Sequence, residues 1–255
     1  MTTLLASLLV LQQPNFPNMV TRGHSHNDYA QVRPLDEALD NGFNCVEVDV
    51  FPVDGKLLVG HNEEDIKPTK TIESMYLDKL SARAKVYGGS IYPNSKGATF
   101  WVLVDVKRDG LVAYNSLKTI LAKYPELEAK GKKPKVRFVI SGDRAIDAII
   151  ADKGKFAGID GRLDDLPKNY SYEVMPWISG DWSDSIQWKG EGAFTEADKA
   201  KLASEVKAVH AQHKIFRYWG TPDTEYCWHV EYEAGVDLIN TDHIAGLRKW
   251  LQSDR

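Results

Sequence analysis

Eight short apolar runs recur along this chain, most of them rich in β-branched residues, each followed by a longer stretch of mixed polar and apolar residues. They fall at residues 19–23, 45–51, 99–106, 136–140, 156–160, 174–178, 215–218 and 238–241. A strand of a parallel sheet is covered on both faces, so an almost wholly apolar run is what it needs. The stretches between them carry helix signals. Pro34 stands where a first helical position accepts proline, and Gly42 where a helix stops. Residues 72–85, 111–123, 145–152, 195–213, 224–234 and 243–251 also read as helices, with Thr195 as an N-cap. A further short run at 56–59 follows the turn at Asp54-Gly55. Eight strands alternating with helices within 255 residues is the count of a (β/α)8 TIM barrel. A doubly wound open sheet is the alternative. No linker rich in Pro, Gly or Ser divides the chain, so residues 1–255 read as one domain.

A barrel of this kind collects its functional side chains at the C-terminal ends of its strands. Polar residues do gather there: His24, His26, Glu47, Asp49, Asp105, Lys107, Ser141, Asp160, Trp219 and Asp242. Composition narrows the partners. A formal net charge of -4 argues against a nucleic-acid binder, which shows a basic excess, while leaving room for one basic pocket that holds a phosphate. Cys45 and Cys227 are the only cysteines, with no zinc-binding spacing, and Cys45 reads as a buried thiol. No run reaches the roughly 18 apolar residues that span a bilayer. Residues 1–18, with "TTLLASLLVLQQP", read either as an amphipathic first helix ending before Pro14 or as a remnant signal-like segment, compatible with a secreted or a cytoplasmic protein.

The run "NCVEVDVF" breaks the apolar rule at Glu47 and Asp49, two residues apart and therefore on one face of a strand. Two carboxylates buried together repel unless a cation or a proton stands between them. Exposed carboxylates on an edge strand are the alternative, but Val46, Val48 and Val50 mark the strand as buried. Carboxylate oxygens suit a hard divalent cation. The third long run, "FWVLVDVKRDG", repeats the oddity with Asp105 and Lys107 on one face. Asp105 can add a third oxygen ligand, and Lys107 can reach a phosphate oxygen, or the two can form an internal salt bridge. "LLVGHN" places His61 12 residues after Asp49, and "GHSHNDY" places His24 and His26 on one face. Cleaving a phosphodiester takes two proton-transfer groups, one for the nucleophile and one for the leaving oxygen. His26 and His61 are the candidates. His210 and His213 belong to a solvated helix face, His229 to an aromatic cluster, and His243 to a helix cap or the barrel mouth.

These residues resemble the phospholipase C-like phosphodiesterases, a group of barrels that includes glycerophosphodiester phosphodiesterases and phosphoinositide phospholipases. "SHNDY" at 25–29, "GFNCVEVDVFPVDGKLLVGH" at 42–61, "LVDVK" at 103–107 and the closing "YWGTPDTEYCWHVEYEAGVDLINTDH" carry the likeness, closest to the branch with "HSHNDY". Residues from about 110 to 210 carry little of it. The resemblance implies a metal-dependent phosphodiester hydrolase acting on a glycerophosphodiester- or phospholipid-like substrate. It implies His26 and His61 as the acid/base pair. It implies Glu47, Asp49, Asp105 and Asn27 as ligands of one divalent cation, Ca2+ or Mg2+. Lys107 and Trp219 fall at positions that contact the substrate phosphate or line the mouth, and His24, beside His26, reads as a further substrate-binding residue at the mouth or just behind it. The His-Arg-Gly and Glu-Asn-Thr elements of the glycerophosphodiester enzymes are absent, which weakens that substrate without weakening the reaction.

Two other readings use the same residues. Amidohydrolase-like and histidinol-phosphatase-like barrels bind metal through a His-x-His pair, here His24 and His26, but need further histidines at later strand ends. A catalytically silent barrel serving as a binding module would have no need for both histidines and all three carboxylates.

Overall fold

The computed structural model describes residues 18–94, 98–127, 135–152 and 156–253. The N-terminal helix or signal-like segment read at residues 1–18 falls almost wholly outside them. Strands β1 (Gly23–Ser25), β2 (Cys45–Val53), β3 (Lys56–Val59), β4 (Phe100–Val106) and β5 (Val136–Gly142) are followed by β6 (Ala157–Arg162), β7 (Trp177–Asp181), β8 (Ile215–Trp219) and β9 (Ile239–Thr241). The pairing order is β8-β7-β6-β5-β4-β2-β1-β9, with β3 as an antiparallel flap on β2. A parallel bridge between Arg217 and Leu238 joins β8 to β9 and closes the ring. Eight parallel strands with intervening helices make the chain a (β/α)8 barrel, as its alternating pattern implies.

The helices are α1 (Asp36–Asp40), α2 (Asp78–Val86), α3 (Gly110–Leu121), α4 (Ile146–Ala151), α5 (Trp182–Ser185), α6 (Glu196–His210), α7 (Glu225–Ala234) and α8 (Ile244–Gln252). Thr195 caps α6 by accepting from the Asp198 amide, as expected of a threonine before a helical run. Three expectations shift. Pro34 does not start its helix: Leu35 follows in a strained conformation, φ 64°, and α1 begins at Asp36. The buried Asp28 carboxylate accepts the Leu35 amide at 2.6 Å and so fixes that bend. The strand expected at 174–178 begins instead at Trp177, because Pro176 has no amide to give a central ladder. The first strand starts at Gly23 rather than ending there, so His24 lies inside it; Val20 makes only an isolated bridge to Phe43.

Side-chain parity does the sorting. Along β2, Val46, Val48 and Val50 face the helices and join the large outer core. Cys45 turns inward with Trp101, Leu103, Val139, Trp177 and Leu238 to fill the barrel. Glu47 and Asp49 continue that inward face toward the strand ends. The barrel is therefore apolar at its waist and ionic at its mouth.

Gly142 ends β5 at φ 67°, where a Cβ would stand 2.2 Å from the Val106 carbonyl and 2.7 Å from Asp105 Oδ1. Only glycine lets the chain turn there without pushing on that carboxylate. Gly142→Ala is expected to lower stability by at least about 1–3 kcal/mol, the scale of a non-glycine residue held in the left-handed region. Urea unfolding measures this, and an unchanged midpoint with an unchanged slope contradicts it.

Candidate active site at the barrel mouth

Strand register brings the carboxylates together. In the parallel ladder Asp49 stands directly beside Asp105, and Glu47 beside Leu103. Carboxylate oxygens of Glu47, Asp49 and Asp105 all lie within 4.8 Å of one another, the one such group of three His, Cys, Asp or Glu side chains among the described residues. The antiparallel flap folds the chain back, pairing Val50 with Val59, and the Gly60 amide donates to the Asp49 carbonyl at 3.2 Å. That return explains why a histidine 12 residues downstream of Asp49 ends beside it. His61 Nδ1 is 3.0 Å from Asp49 Oδ2.

Asp49 Oδ2 is crowded. It accepts from the Tyr29 hydroxyl at 2.7 Å and meets Lys107 Nζ at 2.7 Å in addition to His61. Burial, then the Glu47 charge, raises the Asp49 pKa, with Lys107 opposing. The Lys107 ammonium also lies 2.6 Å from Asp105 Oδ2. Burial works to lower its pKa, but the bonds to Asp105 and then Asp49 keep it above the usual lysine value. The internal salt bridge of the sequence reading is thus present. The other Asp49 oxygen, Oδ1, is buried and has no hydrogen-bond partner. A buried carboxylate oxygen with nothing to bond is costly unless a cation or water completes it. Three oxygen donors with one left unpartnered fit a hard divalent cation.

The two rim histidines share a construction. His26 Nδ1 is 3.0 Å from Asp242 Oδ1, and His61 Nδ1 is held by Asp49. The remaining ring nitrogen of each has no protein hydrogen bond among the described residues. Their side chains are 30 % and 58 % exposed, so those nitrogens are open to a ligand. Asn27 sits between them at φ 44°, its Nδ2 3.2 Å from His26 Nδ1 and its Oδ1 accepting from the Tyr29 hydroxyl at 2.9 Å. Tyr29, which the sequence reading did not single out, therefore links Asn27, Asp49 and His61; its hydroxyl is 3.2 Å from His61 Nδ1. Burial, then the Asp49 charge, holds that phenol protonated.

His24 takes no place at the mouth. It is fully buried behind Glu47, with Nε2 2.8 Å from Glu47 Oε2 and Nδ1 2.8 Å from Cys45 Sγ. Burial, helped by the Arg217 charge, pushes its pKa down to about 4, so the ring is neutral. With its proton on Nε2 the ring donates to Glu47 and accepts the Cys45 thiol proton on Nδ1, and Arg217 Nη1 stands 3.0 Å from the same Nε2. With both nitrogens occupied inside the barrel, His24 and His26 do not form a metal-binding pair. Arg217, also absent from the sequence reading, is a buried cation of the interior; its Nη1 donates to Glu47 Oε2 at 3.1 Å. Burial alone would raise the Glu47 pKa, but Arg217 and then His24 hold it well below the usual carboxylate range. Trp219 lies at the rim at the end of β8, with the Arg162 guanidinium 4.6 Å from its ring centre.

Asp28, the acid of "SHNDY", is structural. It accepts from the Ser25 hydroxyl at 2.7 Å and the Tyr76 hydroxyl at 2.9 Å as well as from Leu35. Burial pushes its pKa up to about 6 despite those donors. It locks the segment that carries His26 and Asn27 to the body of the barrel.

Residues 17–131 match the AIM6-like phosphodiesterase domain, a span that holds His26, Glu47, Asp49, His61 and Asp105. The chain is 24% identical over 90% of its length to the altered inheritance of mitochondria protein 6 homolog of Arthroderma benhamiae, covering 85% of that protein. It is 25% identical over 87% of its length to the Saccharomyces cerevisiae altered inheritance of mitochondria protein 6, covering 68% of it, and it spans 65% of the Lachancea thermotolerans protein of that name. Among solved structures, glycerophosphodiester phosphodiesterase from Agrobacterium tumefaciens superposes with a TM-score of 0.56 over 92% of this chain and 100% of that one, at 14% identity. The fold is thus that of a glycerophosphodiester phosphodiesterase and the first part of the chain matches a phosphodiesterase domain, in agreement with the resemblance carried by the sequence motifs.

Proposed function

We propose that the protein is a metal-dependent phosphodiester hydrolase. One observation carries the reading. Two rim histidines, each with Nδ1 held by a carboxylate, flank three clustered carboxylates, one of which keeps a buried oxygen without a partner. A phosphodiester carries charge and a poor leaving group, so its cleavage needs charge neutralisation and two positioned proton carriers. Glu47, Asp49 and Asp105, with Asn27 beside them, would hold one Ca2+ or Mg2+. When bound, that ion neutralises charge developing on the phosphoryl oxygens.

The protein's own groups divide the rest. His26 and His61 exchange protons with the nucleophile and the leaving oxygen through their open ring nitrogens. Asp242 and Asp49 fix the orientation of the two rings, as a carboxylate does for a general base elsewhere. Lys107 reaches a phosphate oxygen from its place between Asp49 and Asp105. Trp219 lines the opposite rim. A cavity of about 600 Å³ adjoins the site, lined among others by Asn27, Tyr29, His61, Lys67, Lys70 and Met75, and takes the group attached to the phosphate. Its mixed lining, with Lys67 and Lys70 beside Val59 and Met75, suits the headgroup of a glycerophosphodiester- or phospholipid-like substrate. A hydroxyl next to the phosphate would attack first and give a cyclic product; without one, water attacks.

The test is a screen of soluble and lipid phosphodiesters with chelator and with Ca2+ or Mg2+ added back. Turnover is expected to stop on chelation and return with the metal. His26→Ala and His61→Ala are each expected to lose at least ~100-fold in kcat, the usual scale for a positioned acid or base. Near-wild-type turnover in either variant contradicts the assignment.

Burial works to lower the His26 pKa, but the hydrogen bond it donates to Asp242, with the Glu47 charge, raises it above 6.5. A raised folded pKa means the His26–Asp242 pair stabilises the fold fully below pH 6.5. That contribution is lost as pH climbs through the folded value. An NMR titration of the His26 ring is expected to show a midpoint above 6.5 that falls in Asp242→Asn. An Asp242→Asn midpoint equal to that of the wild type contradicts the pairing.

A further inference from the structure

Beneath the carboxylates, one guanidinium ties most of the barrel together. Arg217 enters from β8 and is 3% exposed. Its Nε donates to Ser179 Oγ on β7 at 2.9 Å, and its Nη1 donates to Asn240 Oδ1 on β9 at 3.1 Å and to Glu47 Oε2 on β2 at 3.1 Å. Its Nη2 stands 3.7 Å from Asp160 Oδ2 on β6. Ser179 in turn donates to Asp160 Oδ1 at 2.5 Å. These groups come from β2, β6, β7 and β9, and Nη1 also lies 3.0 Å from His24 Nε2 on β1, so the guanidinium plane has little freedom to turn.

The consequence falls on Glu47. Its Oε2 receives both Arg217 and, at 2.8 Å, His24. Its Oε1 has no protein hydrogen bond among the described residues. A glutamate has three side-chain torsions, and in an open site its carboxylate would sample many orientations. Here one oxygen is pinned from behind by two donors, which fixes where the other stands. A ligand held from behind in this way binds a metal more tightly, because the ordering has been done before the ion arrives.

We propose that Arg217 is a positioning residue of the acidic site: it holds Glu47 so that one carboxylate oxygen is committed to the barrel interior and the other is presented to a divalent cation. The inference rests on the hydrolase reading and extends it to a residue that touches neither substrate nor ion. Charge alone does not do this. A lysine at 217 would keep the charge, but an ammonium has no planar fork with which to reach Ser179, Asn240 and Glu47 at once.

The experiment is a calorimetric titration of Ca2+ and of Mg2+ into the wild-type protein and Arg217→Lys, with thermal unfolding of both in the absence of metal. Arg217→Lys is expected to remain folded and to bind the cation ~10–100-fold more weakly, the usual effect of removing a group that orients a ligand. Its kcat is expected to recover at saturating metal. A folded Arg217→Lys that binds the cation within twofold of the wild type overturns the inference, even if its thermal midpoint is lower, since Arg217 would then serve the fold alone. Should Arg217→Lys fail to fold, Ser179→Ala removes the acceptor of Arg217 Nε and alters no charge. It is expected to weaken cation binding in the same direction to a smaller degree, and unchanged affinity there overturns the inference equally. A wild-type protein that binds neither ion overturns the hydrolase reading, and this inference falls with it. Binding in the wild type with no loss in the variants overturns only the role of Arg217.

Discussion

Four carboxylates, those of Glu47, Asp49, Asp105 and Asp160, stand inside or at the mouth of one barrel, and their mutual repulsion is the constraint that the rest of the site answers. Two unit charges 4 Å apart repel by roughly 4 kcal/mol at the effective dielectric of a protein's outer regions. Several such terms would exceed what a marginally stable fold can absorb. Arg217 meets Glu47 and approaches Asp160 from within, Arg162 meets Asp160 at 2.9 Å, and Lys107 lies between Asp49 and Asp105. The cations are arranged in two tiers, a fixed one in the interior and a half-exposed one at the rim. Only the upper tier is open to exchange with a ligand.

The architecture was legible in the sequence because it depends on counting. Eight apolar runs with helices between them leave few alternatives, and β2 and β4 announce themselves by placing valines on the face opposite their acids. Displacements occurred where local signals were overruled. Pro34 looks like a helix start, yet the buried Asp28 holds the Leu35 amide and delays the helix. The run read at 174–178 is shifted to β7, Trp177–Asp181, and passes through Gly180, where any Cβ would meet the Tyr218 ring at 2.8 Å.

The site was legible in part, and the omissions have physical reasons. Glu47, Asp49 and Asp105 stand out as charges in apolar strands, and the structure brings all three together. Arg217 offers the same signal in "IFRYW", a charge amid buried aromatics, and the rule that marked Glu47 would have marked it too. Tyr29 gave no such sign. It belongs to a short helical turn rather than a strand, and its reach to Asp49 and His61 depends on how that turn docks. His24 shows the opposite error: it reads as a residue of the mouth, whereas β1 ends at Ser25, so the His24 ring is held inside the barrel and only His26, beyond the strand, reaches the rim. Identity near 25% to relatives named for mitochondrial inheritance adds a phosphodiesterase-like domain and no substrate.

The central claim is that the carboxylates, and not the histidines, hold a metal in this barrel. Anomalous diffraction from crystals grown with Mn2+, an oxygen-seeking stand-in for Mg2+ or Ca2+, tests it directly. The expected result is one peak at the mouth bonded to oxygens of Glu47, Asp49 and Asp105, with the His26 and His61 rings near it and unbound. A peak bonded to His24 or His26, or no peak at the mouth, would contradict the account.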